Sequence, residues 1–211
     1  MRLFNAFFSV HDDSTKILCW SIANRQITIF FAAVQILIIS TSCAQHAYSM
    51  SLGYGIFDCR FNNTSNYSHF LAVDVIVFDY GLFHQLLGTD KCVANHLDGG
   101  YIRFIWCLVQ LSTLILLQVT CLLKIEKPAL LRPAVFLQSM YSLGLIILAL
   151  ATMPKMLSGM IERFHEIAVN TLIYFAGTLF NWIFTVIIWH FYWHVKAKAK
   201  LPQVQYEEAP R

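Results

Sequence analysis

Charged side chains are scarce in this sequence. Only 13% of its 211 residues are Asp, Glu, Lys or Arg, whereas a soluble globular domain usually carries about 25%. Apolar residues make up 57%, and the mean hydropathy is +0.57. The shortage excludes an ordinary water-soluble domain and indicates a lipid environment. The formal net charge of +3 is too small and too dispersed to predict binding to nucleic acid.

Ionisable side chains are also missing from the centres of the four longest apolar runs. Such groups inside a membrane usually mark transport paths and catalytic sites, so the sequence argues against a pump, a coupled transporter and an intramembrane protease. The runs do contain six amides: Gln35, Gln110, Gln118, Gln138, Asn170 and Asn181. We interpret these amides as groups that form hydrogen bonds between helices. A path for a polar solute is the alternative.

No C-x-x-C pair occurs among the six cysteines, so the usual sign of a zinc ribbon or a thioredoxin-like site is missing. His190 and His194 are four residues apart, a spacing that can place two zinc ligands on one helix face. No Asp, Glu or Cys accompanies them, and an aromatic belt at a membrane surface explains them better. The sequence therefore predicts no catalytic residue, no metal site and no cofactor, and we do not expect an enzyme.

Each of the four apolar runs is long enough for a membrane-crossing helix, which needs about 20 residues. The sequence thus predicts an all-α membrane protein with four transmembrane helices and a large first lumenal or extracellular loop. The predicted segments are a head 1–26, helix 27–50, loop 51–100, helix 101–123, turn 124–132, helix 133–153, loop 154–166, helix 167–195 and tail 196–211. We expect the head to be a mobile terminus, the first helix to be an uncleaved signal anchor, and Pro154 to end the third helix.

Residues Phe70 to Leu87 are apolar enough to imitate a fifth crossing. Asp74 and Asp79 oppose it, because each costs about 2.5–3.5 kcal/mol near a bilayer centre. With four crossings, ten basic residues lie on the inner side and five on the outer; a fifth crossing leaves seven inside and eight outside. The positive-inside rule therefore favours four crossings with both termini cytosolic. Whether this segment is a strand or an amphipathic helix stays open.

The loop 51–100 carries three overlapping N-x-[ST] triplets, which begin at Asn62, Asn63 and Asn66. Such triplets are glycosylated only on the lumenal side, so we expect at least one to be occupied. Cys59 and Cys92 are the two cysteines of this loop, and an oxidising lumen would allow them to form a disulfide bond.

The last predicted helix is followed by a basic juxtamembrane cluster, Lys196, Lys198 and Lys200. These lysines help to set the topology, and binding of anionic lipid is the alternative. Beyond them the sequence predicts an exposed arm that could serve as a linear peptide motif. Its main residues are Pro202, Tyr206, Glu207 and Glu208. A cytosolic adaptor protein is the expected kind of partner for this arm.

The chain resembles the lysosome-associated four-span transmembrane (LAPTM) family and its invertebrate relatives. The shared features are a Cys-containing lead-in from Leu18 to Gln26, a large glycosylatable first loop, short later loops, and a tail with the letters LP…YEEA. The resemblance implies a multi-pass protein of endolysosomal membranes. Family tails recruit WW domains of ubiquitin ligases through PPxY-type motifs. This tail departs from that pattern, because Pro202 is its only proline before Tyr206.

The expected function is that of a non-enzymatic adaptor or organiser that sorts or scaffolds other membrane proteins in endolysosomal or late secretory membranes. Its expected partners are the lipid bilayer, other membrane proteins and a tail-binding adaptor, without nucleic acid. The alternative is a cell-surface adhesion or junction protein of claudin-like or MARVEL-like topology. The claudin pattern W…GLW…C…C is absent, since the loop contains no Trp. A channel or transporter subunit is a third possibility.

Overall fold

The computed structural model describes residues 8–11, 13–17, 20–51, 101–162 and 164–207. Three short strands come first along the chain: β1 (Phe8–Val10), β2 (Ser14–Ile17) and β3 (Trp20–Ala23). Four α-helices follow them: α1 (Asn24–Ser51), α2 (Tyr101–Leu122), α3 (Pro128–Glu162) and α4 (Phe164–Glu207).

Each of the four helices contains a segment that is long and apolar enough to cross a membrane. These segments are Asn24–Ala44, Phe104–Leu122, Pro128–Ala151 and Leu172–Ala199. A single segment in lipid can satisfy all its backbone polar groups only as a helix, which is why runs rich in β-branched residues are helical here. For the described residues, the prediction of a mostly helical chain with four such helices is confirmed, which fits a multi-pass integral membrane protein.

The helices form a ring in which α1 packs against α2 and α4, and α3 packs against α2 and α4. On every helix buried residues recur at alternate separations of three and four positions. They are Thr28, Ala32, Gln35, Ile39 and Ser42 on α1; Cys107, Gln110, Leu114, Leu117 and Cys121 on α2; Leu131, Val135, Gln138, Ser142 and Leu145 on α3; and Asn181, Phe184, Ile188, Phe191 and Val195 on α4. This spacing is typical of left-handed four-helix bundles.

The strands form an antiparallel sheet in the order β1-β2-β3, so the expectation of a mobile terminus is wrong for these residues. The sheet is held to the bundle by Asn24, the fully buried first residue of α1. Asn24 Oδ1 accepts a hydrogen bond of 2.5 Å from Thr15 Oγ1, and its Nδ2 donates one of 2.6 Å to the carbonyl oxygen of His11. Because β3 leads directly into α1, the sheet lies at the start of that helix.

Two helices continue past their predicted ends. The prediction that Pro154 ends the third helix is wrong, because α3 passes through this residue and reaches Glu162. A proline removes a single N–H group, and fraying at this point would expose several more. The helix α4 continues through Lys196 and Lys200 to Glu207, so this part of the tail is helical and is not a linear arm. Its Lys, Ala, Leu and Gln residues are good helix formers.

The connection between α2 and α3 is a tight turn that places both helix ends on the same side of the bundle. Lys124 has a left-handed φ of 55°. Its N–H donates to the carbonyl oxygen of Cys121 at 3.4 Å, and the N–H of Ile125 donates to that of Thr120 at 3.0 Å. These two bonds are those of a Schellman motif, which satisfies the last carbonyl groups of a helix.

Candidate functional site

Each helix of the bundle contributes a buried amide side chain to the middle of the core. Gln35, Gln110, Gln138 and Asn181 have exposed fractions of at most 4%. We call these four residues the amide layer. Amide groups donate and accept hydrogen bonds but do not titrate near neutral pH. The layer is therefore suited to fixing helix contacts and to holding hydrogen-bonding groups, and it is not suited to acid–base catalysis.

Asn181 is the centre of the hydrogen bonds in the amide layer. Its Oδ1 accepts from Gln138 Nε2 at 2.8 Å and from Gln35 Nε2 at 3.1 Å. Its own Nδ2 donates to the carbonyl oxygen of Gly177 at 2.9 Å. Gln35 Nε2 also lies 3.4 Å from Gln138 Oε1. Three helices, α1, α3 and α4, are thus joined through one side chain.

Hydroxyl groups extend this network along the contact between α3 and α4. Ser142 Oγ donates to the carbonyl oxygen of Asn181 at 3.1 Å and lies 2.6 Å from Thr185 Oγ1. Nearer the outside of the bundle, Trp189 Nε1 donates to Ser139 Oγ at 2.8 Å. These bonds fix the relative position of α3 and α4, because each one requires a particular pair of residues to lie at the same height along the two helices.

The amides predicted from sequence to join helices separate into two groups. The prediction is confirmed for Gln35, Gln138 and Asn181, which form hydrogen bonds across helices. Gln110 and Gln118 each have a buried Oε1 atom with no hydrogen-bond donor in the described part of the chain. The side chain of Asn170 lies outside that part.

A second region with functional character is the end of the bundle that carries the sheet. We call it the basic end and define it by Lys16, Arg25, Lys124, Lys127, Arg132, Lys196, Lys198 and Lys200. The acidic residues with described side chains at this end are Asp13 and Glu126. The sheet contacts α4 through β1 and α1 through β3, and the turn after α2 lies beside the end of α4. Short segments that are far apart in sequence therefore share one surface.

Two lysines of the predicted juxtamembrane cluster already have partners within the protein. Lys198 Nζ forms an ion pair with Glu126 Oε1, and both side chains are about half exposed (53% and 50%). Lys196 Nζ lies 4.1 Å from the ring centroid of Trp193 and 5.8 Å from that of Tyr192, which is cation–π geometry. The contacts of Lys196 lie within α4. The Lys198–Glu126 pair connects the end of α4 with the turn after α2, a role that the sequence pattern did not indicate.

Aromatic rings surround the last turns of the apolar part of α4. The centroids of Trp189 and Trp193 are 6.2 Å apart, and those of Tyr192 and Trp193 are 5.8 Å apart. His190 and His194 are half-buried on the same turns. Within the described ranges no three His, Cys, Asp or Glu residues come together as a metal site.

Several sites predicted from sequence lie outside the described residues. These are the glycosylation triplets at Asn62, Asn63 and Asn66, the pair Cys59 and Cys92, the segment Phe70 to Leu87, and Glu208. Sequence reasoning missed Asn24 and Glu126. The signal for Asn24 was present, because an Asn directly before an apolar helical run is a typical helix start.

Comparison with curated proteins and with solved structures gives no match. One family model matches residues 7–200, which include the three strands and nearly all of the four helices. On this match, the chain belongs to the family described as "Family of unknown function (DUF8774)".

Proposed function

We propose that the protein is a non-enzymatic four-span adaptor or organiser that sorts or scaffolds other membrane proteins in endolysosomal or late secretory membranes. The observation that carries the proposal is the construction of the basic end. A sheet, a turn and a helix end are joined there into one surface by specific hydrogen bonds and an ion pair. A surface of fixed shape can present the same groups to each partner without a large loss of entropy on binding.

The membrane-facing surface supports the same proposal. Large apolar side chains point outward on all four helices, among them Leu37, Leu108, Leu143 and Leu172. These side chains suit lipid tails and the apolar helices of other membrane proteins equally well. Trp20 on β3 is 75% exposed and sits four residues before α1. Trp is enriched where membrane meets water, so this residue supports a position of the sheet at the membrane surface.

The proposed topology has four crossings, cytosolic termini and a lumenal loop 51–100. The clustering of positive charge at the basic end supports a cytosolic position for that end. The endolysosomal location rests on the resemblance of the chain to the LAPTM family. A cytosolic adaptor protein that recognises the end of α4 is the proposed soluble partner.

The topology has a direct biochemical test. We expect an N-glycosidase to lower the apparent mass of the protein from cells, and we expect no such shift for the triple variant Asn62→Gln, Asn63→Gln, Asn66→Gln. As a control, an N-x-T acceptor appended after Arg211 should stay unmodified because the tail would be cytosolic. Glycosylation of that appended acceptor would contradict the proposed orientation.

The ion pair between Lys198 and Glu126 provides a test of the function. We expect Lys198→Glu to reduce the recovery of membrane partners by proximity labelling, because like charges would push the end of α4 away from the turn. The double variant Lys198→Glu, Glu126→Lys should restore recovery. Stability should change by less than about 1 kcal/mol, since the pair is half exposed.

The matched control for this experiment is Lys155→Glu, which makes the same charge change on α3 at the opposite end of the bundle. It should leave the partner set unchanged. If Lys198→Glu and a deletion of residues 201–211 both leave the partner set and the steady-state location as in the wild type, the basic end does not carry the adaptor function.

A further inference from the structure

Two oxygen atoms of the amide layer lack a hydrogen-bond donor in the described part of the chain. They are Oε1 of Gln35 on α1 and Oε1 of Gln110 on α2, and both residues are buried. A buried acceptor without a donor is unfavourable because it has lost its hydrogen bonds to water. Most such groups in native proteins have a partner, which is often an ordered water molecule.

The orientation of the Gln35 amide is determined by its neighbours. Its Nε2 lies 3.1 Å from Asn181 Oδ1 and 3.4 Å from Gln138 Oε1. Rotating the amide by 180° would bring its oxygen against two other oxygens. The Oε1 atom of Gln35 is therefore held away from the network of α3 and α4, and exchanging the two amide atoms does not provide it with a donor.

Gln35 and Gln110 lie at the same depth of the bundle. The tight turn between α2 and α3 brings Leu122 and Pro128, the facing ends of these helices, close to one level of the bundle. Gln110 lies twelve residues before Leu122, and Gln138 lies ten residues after Pro128, so at 1.5 Å per residue both amides are about 15–18 Å from that level. Gln35 is at the same depth, because its Nε2 lies 3.4 Å from Gln138 Oε1. Since α1 packs against α2, the two acceptors belong to one layer of the core.

The same two helices carry the other buried oxygens that lack a described donor. These are Oγ1 of Thr28 on α1 and Oε1 of Gln118 on α2. Thr28 lies seven residues before Gln35 and Gln118 lies eight residues after Gln110, so this second pair also shares a depth, about 10–12 Å from the amide layer. Unpaired oxygens thus recur on α1 and α2, whereas the polar groups between α3 and α4 are joined to one another.

We propose that the amide layer is a binding site for a small uncharged hydrogen-bond donor, a water molecule, held between Gln35 Oε1 and Gln110 Oε1. A metal cation is a poor candidate, because the four side chains of the layer are neutral and a buried charge needs a compensating one. The site is closed toward the basic end by Ala32, Leu114 and Leu117, all at most 3% exposed. Ile39 and Cys107, at most 1% exposed, close it on the opposite side. The water is therefore a fixed part of the core and does not belong to a continuous polar path.

The proposal is tested by X-ray radiolytic labelling of the full-length protein in lipid nanodiscs, with water as the probe. Radicals formed from a bound water oxidise the side chains beside it. Leu114 is the reporter, since it lies one turn from Gln110 and is 3% exposed. Leu145 on α3 is the matched control, with the same side chain and 1% exposure. We expect Leu114 to be labelled several-fold faster than Leu145, and equal rates would overturn the proposal.

The variant Gln110→Met provides a second measurement. Its change in Tm is expected to have opposite signs with and without a bound water. If water is bound, the variant loses the excess labelling of Leu114 and has a lower Tm, because Gln35 Oε1 loses its donor. If the layer is dry, the variant removes an unpaired acceptor and has a higher Tm. A raised Tm would therefore overturn the proposal. The wild-type comparison of Leu114 with Leu145 decides the question even if the variant does not fold.

Discussion

Replacing Asn181 by leucine is expected to lower the free energy of unfolding by about 2–4 kcal/mol. The substitution leaves two buried donors, Gln35 Nε2 and Gln138 Nε2, without their shorter hydrogen bonds, and each unpaired group costs roughly 1–3 kcal/mol. Hydrogen bonds between membrane helices usually contribute only about 0.6–2 kcal/mol. The larger effect is expected here because one acceptor serves two donors. The measurement is a denaturant titration in mixed micelles.

Thr178→Val is the matched control for Asn181→Leu. It also removes a polar side chain from α4, but Thr178 Oγ1 donates only to the carbonyl oxygen of Tyr174 in the same helix, at 2.9 Å. Its effect should be well below 1 kcal/mol. The triple variant Gln35→Leu, Gln138→Leu, Asn181→Leu should recover part of the loss, because no donor is then left unpaired. If Asn181→Leu is as stable as the wild type, the amide layer does not hold the helices together.

Replacing Asn24 by alanine is expected to release the sheet from the bundle. The side chain of Asn24 connects α1 with both Thr15 and the carbonyl oxygen of His11, and its backbone N–H donates to the carbonyl oxygen of Asp13 at 3.0 Å. Losing the two side-chain bonds should cost about 1–3 kcal/mol locally. Trypsin should then cleave after Lys16 at a much higher rate, which mass spectrometry of the fragments would detect.

Ser14→Ala is the control for the sheet experiment. Ser14 Oγ lies 3.2 Å from Asp13 Oδ1, but this contact is exposed and joins adjacent residues, so its loss should not change the cleavage rate. Thr15→Val should have an intermediate effect, because it removes the bond from Thr15 Oγ1 and leaves the bond from Asn24 Nδ2 to His11. If Asn24→Ala leaves Lys16 as protected as in the wild type, Asn24 is not what attaches the sheet.

The variants Asn181→Leu and Asn24→Ala test two different regions of the molecule. Asn181→Leu acts on the amide layer inside the bundle, whereas Asn24→Ala acts on the basic end. If the basic end is the surface that partners recognise, Asn24→Ala should reduce partner recovery while leaving the four helices assembled. This pattern would link the attachment of the sheet to the proposed adaptor function.

The four long helices were predictable because a membrane crossing has a simple requirement. About 20 mostly apolar residues must form a helix if they are to satisfy their backbone in lipid, whatever their neighbours are. The six amides stand out in the same way, since polar groups are few in such runs. These features depend on local composition, so a single sequence is enough to find them.

The ends of the elements were less predictable. Strands of three and four residues are too short for an alternating pattern to be distinctive, and the anchor of this sheet, Asn24, lies nine residues from its partner Thr15. Pro154 is a strong sign of a helix end by itself, but the surrounding residues keep α3 continuous to Glu162. Hydrogen bonding with another segment overrode local preference in the sheet. At Pro154, the loss of one N–H group was outweighed by the backbone hydrogen bonds that a continuous helix keeps.

The sequence by itself determined that this is a chain of four apolar helices with a few polar groups in their interiors and an excess of basic residues toward one side. Only the tertiary structure decided which polar groups meet. Gln35 reaches Gln138 and Asn181 across 103 and 146 residues, and Lys198 reaches Glu126 across 72. The rotation and height of each helix determine those contacts, and both arise from the packing of all four helices together.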